Sequence, residues 1–177
     1  MLLKVILGVL VLLAGFLTYV AFQPSEMYIV REIFIKAPSE KIFPFINNSQ
    51  KANGWMPWQE SDPGAQMVYS GPAEGVGSTS SWDSTGKMGT GKAEVVESVP
   101  NQVVKTRLTY TKPMNMSQMA EVSLTPSADG TIVKWSVKGN NTFVGRLMCF
   151  FMNMDKMVGG QFEKGLGKLK TQVEELK

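Results

Sequence analysis

The stretch RLMCFFMNMDKMVGGQFEKGLGKLK, residues 146–170, decides the fold of this chain. Its first half is apolar almost all the way round, and its second half carries Gly159, Gly160, Gly165 and Gly167. Glycine inside a helix costs about 1 kcal/mol relative to alanine, so four of them need a reason. Either the helix lies unusually close to a neighbouring surface, or it kinks at Gly159–Gly160. The residues leave both explanations open.

Apolar side chains continue the pattern on both sides of this stretch. They recur at gaps of three or four at Leu147, Phe151, Met154, Val158, Phe162, Leu166, Leu169, Val173 and Leu176. This spacing puts them on one helical face. The pattern predicts one continuous helix over residues 143–176, whose apolar face needs a partner surface.

The residues before 143 predict the surface on which this helix packs. A strand over 27–36 is followed by two short helices, the first broken at Pro44 and the second closed by Gly54. The pattern then changes to a period of two, with candidate strands at 66–70, 77–84, 88–99, 102–112, 116–126 and 131–138. The short connections between them predict antiparallel neighbours.

Apolar and polar residues alternate along these strands, which predicts a sheet with one solvent-exposed face and one covered face. Val133, Trp135 and Val137, for example, alternate with polar residues. We therefore predict an α+β fold: a curved antiparallel sheet of about seven strands around a long C-terminal helix. A curved sheet does not close on one cylinder along its whole width, so a cavity is expected between them, near the short helices.

Five stretches in this order carry a family resemblance: FIKAPSEKIFPFINN (34–48), WMPWQESDP (55–63), GTGKAEVVESVPNQVV (89–104), GTIVKWSVKG (130–139) and MDKMVGGQFEKGLGKLK (154–170). Over roughly residues 27–175 the chain resembles the helix-grip fold of the START/Bet v 1-like superfamily. More narrowly, it resembles the SRPBCC proteins of polyketide cyclase/dehydrase and lipid-transport type. The resemblance implies binding of a hydrophobic or amphipathic small molecule in the cavity. Only some members of the family are enzymes.

The N-terminus predicts a membrane anchor. Residues 5–22 carry no charge and would span about 27 Å as a helix. We expect an uncleaved transmembrane helix within residues 1–24 and a ligand-binding domain at 25–177. Lys4 favours a cytoplasmic N-terminus, which would put the domain on the outer (periplasmic or extracytoplasmic) side. A cleaved signal peptide is the alternative, although a cut after Ala21 would place Tyr19 at an unfavourable position.

The composition excludes several kinds of chemistry. The chain has no histidine and a single cysteine, Cys149, which rules out His-based triads and Cys/His zinc sites. A net charge of +3 is too weak to indicate nucleic-acid binding. The acidic residues lack metal-ligand spacing. We predict no catalytic residue, no metal and no cofactor.

The predicted ligand-binding residues are large apolar or amphipathic side chains: Trp55, Trp82, Tyr110, Met116, Trp135, Phe150 and Met154. Tyr110 is the polar group of this set, because its face of the strand is otherwise apolar. Met148, Phe150 and Met152 lie outside the core stripe. They are expected to line the ligand site or a lid, to pack on the short helices, or to touch the membrane.

The expected function is a membrane-tethered binding protein for a lipid-like small molecule, with residues 5–22 in the membrane. One alternative is a cyclase or dehydratase that uses Tyr110, Asp83 or an arginine for acid–base chemistry. Another is an interaction module at the membrane that holds no ligand. The sequence does not decide among them.

Overall fold

The computed structural model describes residues 2–86 and 88–176, without the side chain of Met148. The helices are α1 (Leu2–Ala21), α2 (Ser39–Asn47), α3 (Ser49–Trp55), α4 (Trp58–Ser61), α5 (Phe143–Phe151) and α6 (Met154–Glu174). The strands are β1 (Glu26–Ile35), β2 (Gln66–Ser70), β3 (Thr79–Asp83), β4 (Thr90–Val99), β5 (Val103–Lys112), β6 (Met116–Ser127) and β7 (Gly130–Asn140).

The seven strands form one antiparallel sheet in the order β1-β7-β6-β5-β4-β3-β2. This confirms the predicted sheet, including all six candidate strands after residue 65, with small differences at their ends. The first strand pairs with the last, so β1 lies at one edge of the sheet and β2 at the other. The inward-facing side chains of the central strands, such as Val104, Val122 and Val133, are buried. For Val133 this confirms the covered face that alternation along the strand predicts.

The short helices differ from the prediction in two ways. Helix α2 continues through Pro44, where a break was expected. A proline removes only one backbone hydrogen bond, and the buried Ile42 and Ile46 on either side hold this turn in the core. The loop after α3 also contains a third short helix, α4, which begins directly after Pro57.

The predicted continuous helix over 143–176 is wrong at one point, because it is divided between Phe151 and Met154. Asn153 has extended backbone, and its side chain accepts a hydrogen bond from the Lys156 amide at 2.9 Å. This is an N-cap, which begins a new helix although the apolar spacing runs on across the junction. Helix α6 itself is continuous through Gly159 and Gly160.

Two of the four glycines give α6 a close approach to the sheet. A Cβ atom on Gly165 would lie 2.9 Å from Cζ3 of Trp135 and 3.2 Å from Cδ of Pro57. A Cβ atom on Gly159 would overlap the guanidinium of Arg31. Gly160 faces open space. Close approach therefore explains Gly159 and Gly165.

Aromatic rings fill the interior where α6 crosses the sheet. Trp135 stacks on Phe162 with ring centroids 3.9 Å apart and planes 6° apart. Trp55 meets Trp135 edge-on at 5.0 Å, and its indole N–H donates to the Phe45 carbonyl at 3.0 Å. Trp58 covers Phe162 from the side. The space beside the short helices, where the cavity was predicted, is therefore occupied by side chains.

Charged contacts fix one flank of α6 to β1. Nε of Arg31 donates to Glu163 at 2.6 Å, and its Nη2 lies 2.9 Å from Oδ2 of Asp155. The two hydrogen bonds raise the pKa of Arg31 above its usual value. The hydrogen bond from Arg31 lowers the pKa of Asp155, so this pair weakens only as the pH falls below the ordinary aspartate range.

The other flank of α6 is held by α4. Both Lys164 and Lys168 pair with the carboxylate of Glu60. Their hydrogen bonds lower the pKa of Glu60 to about 2, so it stays ionised at any physiological pH. Helix α6 thus forms ion pairs with β1 on one side and with α4 on the other.

Alanine substitutions at the tightly packed Gly165 and at the exposed Gly160 should have opposite effects on stability. We expect Gly165→Ala to destabilise the protein by about 1–3 kcal/mol, because the new methyl group overlaps Trp135 and Pro57. Gly160→Ala, the matched control, should stabilise it by up to about 1 kcal/mol, because helix propensity improves and nothing is displaced. Urea unfolding of the full chain in detergent, followed by tryptophan fluorescence, measures both. Equal effects of the two substitutions would contradict the close-packing explanation.

Candidate ligand-binding site

Helix α6 leaves one end of the concave face uncovered. Asp155, in its first turn, binds Arg31, and Arg31 lies in the same cross-strand row as Val104 of β5. The helix then runs toward the far end of β1, where Glu174 accepts a hydrogen bond from the Lys36 amide. Tyr110 lies six residues beyond Val104 in the opposite direction, about 20 Å along the strand. The sheet around Tyr110 therefore extends past the start of α6.

This uncovered end of the sheet is lined mainly by apolar side chains. The strand register places them in two rows that cross β5 at Leu108 and Tyr110 and continue to β6. The lining residues are only partly buried, except for the more deeply buried Trp82: Met67, Trp82, Ala93, Leu108, Tyr110, Met116 and Gln118. We call this surface the open end of the concave face.

Trp82 forms one wall of the open end. Its indole ring lies over Gly91 on the neighbouring strand, where even a Cβ atom would overlap the ring. The indole N–H donates to the Met88 carbonyl at 3.2 Å. The ring also meets Tyr110 edge-on, with centroids 5.5 Å apart. Gly91 is therefore what allows a tryptophan to lie flat against this part of the sheet.

Tyr110 supplies a polar group to the same surface. Burial raises the pKa of its phenol above 10, so the hydroxyl is neutral and able to donate a hydrogen bond at neutral pH. Within residues 2–86 and 88–176, no protein group forms a hydrogen bond with this hydroxyl. A ligand oxygen or nitrogen would give it a partner.

Gln161, two turns into α6, is a polar residue that the sequence did not single out. Its Oε1 is buried and has no hydrogen-bond partner in the described structure. Gln161 lies on the flank of α6 that carries Met154 two turns before it and Lys168, the partner of Glu60, two turns after it. This flank is opposite the one that binds β1. No sequence signal marks Gln161, because polar residues such as Lys164 and Lys168 share this flank.

The structure divides the seven predicted ligand-binding residues into separate groups. Trp55 and Trp135 lie in the aromatic core, where α6 covers them. Trp82, Tyr110 and Met116 lie together at the open end, with Tyr110 and Met116 directly paired across β5 and β6. A role for any of them in binding stays a prediction, but only the second group borders uncovered space.

The other two predicted residues are on the C-terminal helices. Met154 is the first residue of α6 and is partly buried. Phe150, on α5, is 55% exposed and packs against Phe16 of α1, with ring centroids 5.1 Å apart. The side chain of Met148 lies outside the described structure. A contact with α1 was not among the roles expected for this segment, which were the ligand site or a lid, the short helices and the membrane.

Helix α1 is the one helix in the described chain that is long and apolar enough to cross a membrane. Nearly all of its side chains are exposed. These properties fit a single-pass anchor and a signal sequence equally well.

The one carboxylate that the sequence singled out for acid–base chemistry faces away from the open end. Asp83 follows Trp82 on the strand, so it points to the opposite face, where it accepts a hydrogen bond from the Thr90 hydroxyl at 2.6 Å. The described residues contain no cluster of three or more histidine, cysteine or acidic side chains arranged for a metal. Two surface depressions lie elsewhere, near Gln102 and Pro126, and contain none of the seven predicted residues.

Known structures share this architecture. Norcoclaurine synthase from Thalictrum flavum, solved with dopamine and hydroxybenzaldehyde, is 14% identical, with a TM-score of 0.63 over 87% of this chain and 90% of that one. The Aha1 protein of Colwellia psychrerythraea is 23% identical, with a TM-score of 0.57 over 85% and 98%. Protein MLL2253 of Mesorhizobium loti is 15% identical, with a TM-score of 0.60 over 85% and 99%. At these identities the similarity concerns the fold.

Comparison with curated protein sequences finds no match. The family model described as "Polyketide cyclase / dehydrase and lipid transport" matches residues 28–174, which cover the sheet, the short helices and α6. The chain therefore belongs to the polyketide cyclase/dehydrase and lipid-transport family, with the Bet v 1-like fold that its sequence resembles.

Proposed function

We propose that this protein is a membrane-anchored binding protein for a hydrophobic or amphipathic small molecule. The ligand would lie at the open end of the concave face, between Tyr110 and the start of α6. The observation that carries the proposal is the uncovered apolar lining itself. An apolar concave surface with a few polar groups is the usual form of a small-molecule site.

A polar group at the open end favours an amphipathic ligand. Tyr110 offers a neutral hydrogen-bond donor among apolar side chains. The flexible side chains of Met116 and Met154 suit an irregular apolar body. A lipid-like molecule with one polar end combines these features.

The comparisons support this class of ligand. The family description names both cyclases and lipid transport. Norcoclaurine synthase, which shares the fold, was solved with two small aromatic molecules, dopamine and hydroxybenzaldehyde. Binding of an organic small molecule is what these activities have in common, and it needs no catalytic group from the chain.

The anchor is the second part of the proposal. Helix α1 has 20 residues, and at helical rise it is about 30 Å long, which matches a bilayer core. Its contact with α5 favours a retained helix over a cleaved signal, because removal of α1 would expose the apolar surface of α5. Residues 1–24 would then be the anchor and residues 25–177 the binding domain. Lys4 favours a cytoplasmic N-terminus and a domain on the outer side.

Binding can be tested on residues 25–177, because the family model matches residues 28–174 and all seven strands and α2–α6 lie within Glu26–Glu174. We expect saturable binding of cis-parinaric acid, a fluorescent fatty acid. Met116→Glu should weaken it at least about tenfold, because a carboxylate would be buried against the ligand. Ser117→Glu, the matched control one residue away on the exposed face, should have no effect. Fluorescence titration measures all three affinities.

Two results would contradict the proposed site. One is the absence of saturable binding by the unsubstituted domain, both to the fatty acid and to small aromatic probes such as anilinonaphthalene sulfonate. The other is equal weakening by both substitutions, which would place the binding surface elsewhere. Circular dichroism of each variant verifies that the fold is intact.

Gln161→Leu tests the unpartnered amide. The ligand-free protein should gain about 1 kcal/mol of unfolding free energy, because a buried acceptor without a partner is removed. Gln172→Leu is the control. Its amide donates to the Gly54 carbonyl at 3.3 Å, so the substitution should leave stability equal or lower. Urea unfolding gives both values, and a loss of stability in Gln161→Leu would show that the amide is already satisfied.

A further inference from the structure

The C-terminal end of α5 presents large apolar side chains to the surroundings. Phe151 is 72% exposed, and its neighbours Phe150 and Met152 are also exposed. Three exposed apolar residues in succession form an apolar patch whose exposure to water is unfavourable. We call residues 150–152 the apolar tip.

Helix α1 is attached to α5 at two levels. Nη1 of Arg146 donates to the carbonyls of Ala21 and Gln23, at 2.8 Å and 3.1 Å, at the C-terminal end of α1. Ala21 is the last residue of α1 and Gln23 follows it, so neither carbonyl accepts a hydrogen bond from a later turn of the helix, and a cation there is favourable. One turn further along α5, Phe150 contacts Phe16 of α1. The end of α5 therefore lies beside α1, below its last turn.

This geometry fixes the depth of the apolar tip relative to α1. Phe16 lies five residues before Ala21, which is about 7.5 Å along the helix axis. If Ala21 marks the edge of the hydrocarbon core, Phe150 and Phe151 lie about 7.5 Å inside it. Apolar faces of helices that lie in a membrane interface are buried to about 5–10 Å.

Polar residues limit the insertion to the tip. Asn153 follows Met152 directly and caps α6, and Asp155 is engaged with Arg31. Lys156, in the same turn, is exposed and positioned for lipid headgroups. The chain therefore enters the interface at α5 and leaves it with the first turn of α6.

We propose that residues 150–152 insert into the headgroup–acyl boundary of the bilayer beside α1, and thereby fix the orientation of the domain on the membrane. This inference rests on the proposed anchoring by α1. The start of α5 lies near the β5–β6 hairpin of the open end, where the Thr142 hydroxyl is 3.7 Å from the Met114 sulfur. Because α5 has nine residues, this hairpin lies about 13 Å from the inserted tip along the helix.

Site-directed spin labelling tests the insertion in the full chain, reconstituted in phosphatidylcholine vesicles. Nitroxide labels are placed by Phe151→Cys and by Phe34→Cys, each in a Cys149→Ser background. Phe34 is the matched control, since it is also an exposed phenylalanine (41%) but lies at the far end of β1. At position 151 we expect collisions with oxygen to exceed those with nickel-EDDA by at least about threefold, as for a site below the headgroups. At position 34 the order should reverse.

Each other outcome overturns the inference in a distinguishable way. A vesicle-bound protein with both labels in water would refute the inserted tip but leave the anchor intact. A label at position 151 shielded from both reagents would indicate that the tip packs against protein, such as a second copy of the chain. Protein that does not float with the vesicles would refute the anchoring itself, and the insertion with it.

Discussion

The stacking of Trp135 on Phe162 is the contact on which the rest of this structure depends. The rings are only 3.9 Å apart, and they join the most buried part of the sheet to the middle of α6. That distance is available because Gly165 presents no side chain to Trp135. Trp55 closes the cluster from the short helices. Large rings in close contact bury much apolar area, so this junction sets the position of α6 and, through it, of everything packed on the helix.

The same contact divides the concave face into two parts with different roles. Toward the far end of β1, the helix and the aromatic cluster fill the interior. Toward Tyr110, the sheet continues beyond the start of α6, and its lining residues keep part of their surface exposed. A single helix cannot follow a twisted sheet over its whole area, so a well-packed junction at one end leaves an uncovered surface at the other. In this protein the uncovered part adjoins α5 and, through it, the apolar N-terminal helix.

The sequence predicted the fold in detail because its periodic patterns depend on local geometry alone. Alternation assigned Val133, Trp135 and Val137 to the covered face, and a spacing of three and four residues identified α6. The break at Asn153 was missed because an apolar stripe gives no sign of an N-cap that interrupts it. Trp55 and Trp135 were predicted to bind ligand, yet they lie in the core, because periodicity tells which face a residue is on but not what covers it. The bond between Arg31 and α6 and the isolated amide of Gln161 depend on tertiary register, which no local pattern contains.

The position of a bound ligand can be determined by a crystal structure of residues 25–177 with a brominated fatty acid, since anomalous scattering from bromine locates the ligand independently of the protein density. We predict a bromine site at the open end of the concave face, bordered by Trp82, Tyr110 and Met154, with the Trp135–Phe162 stack unchanged. Bromine found only on the outer surface of the sheet, or a ligand that enters by separating α6 from Trp135, would contradict this prediction.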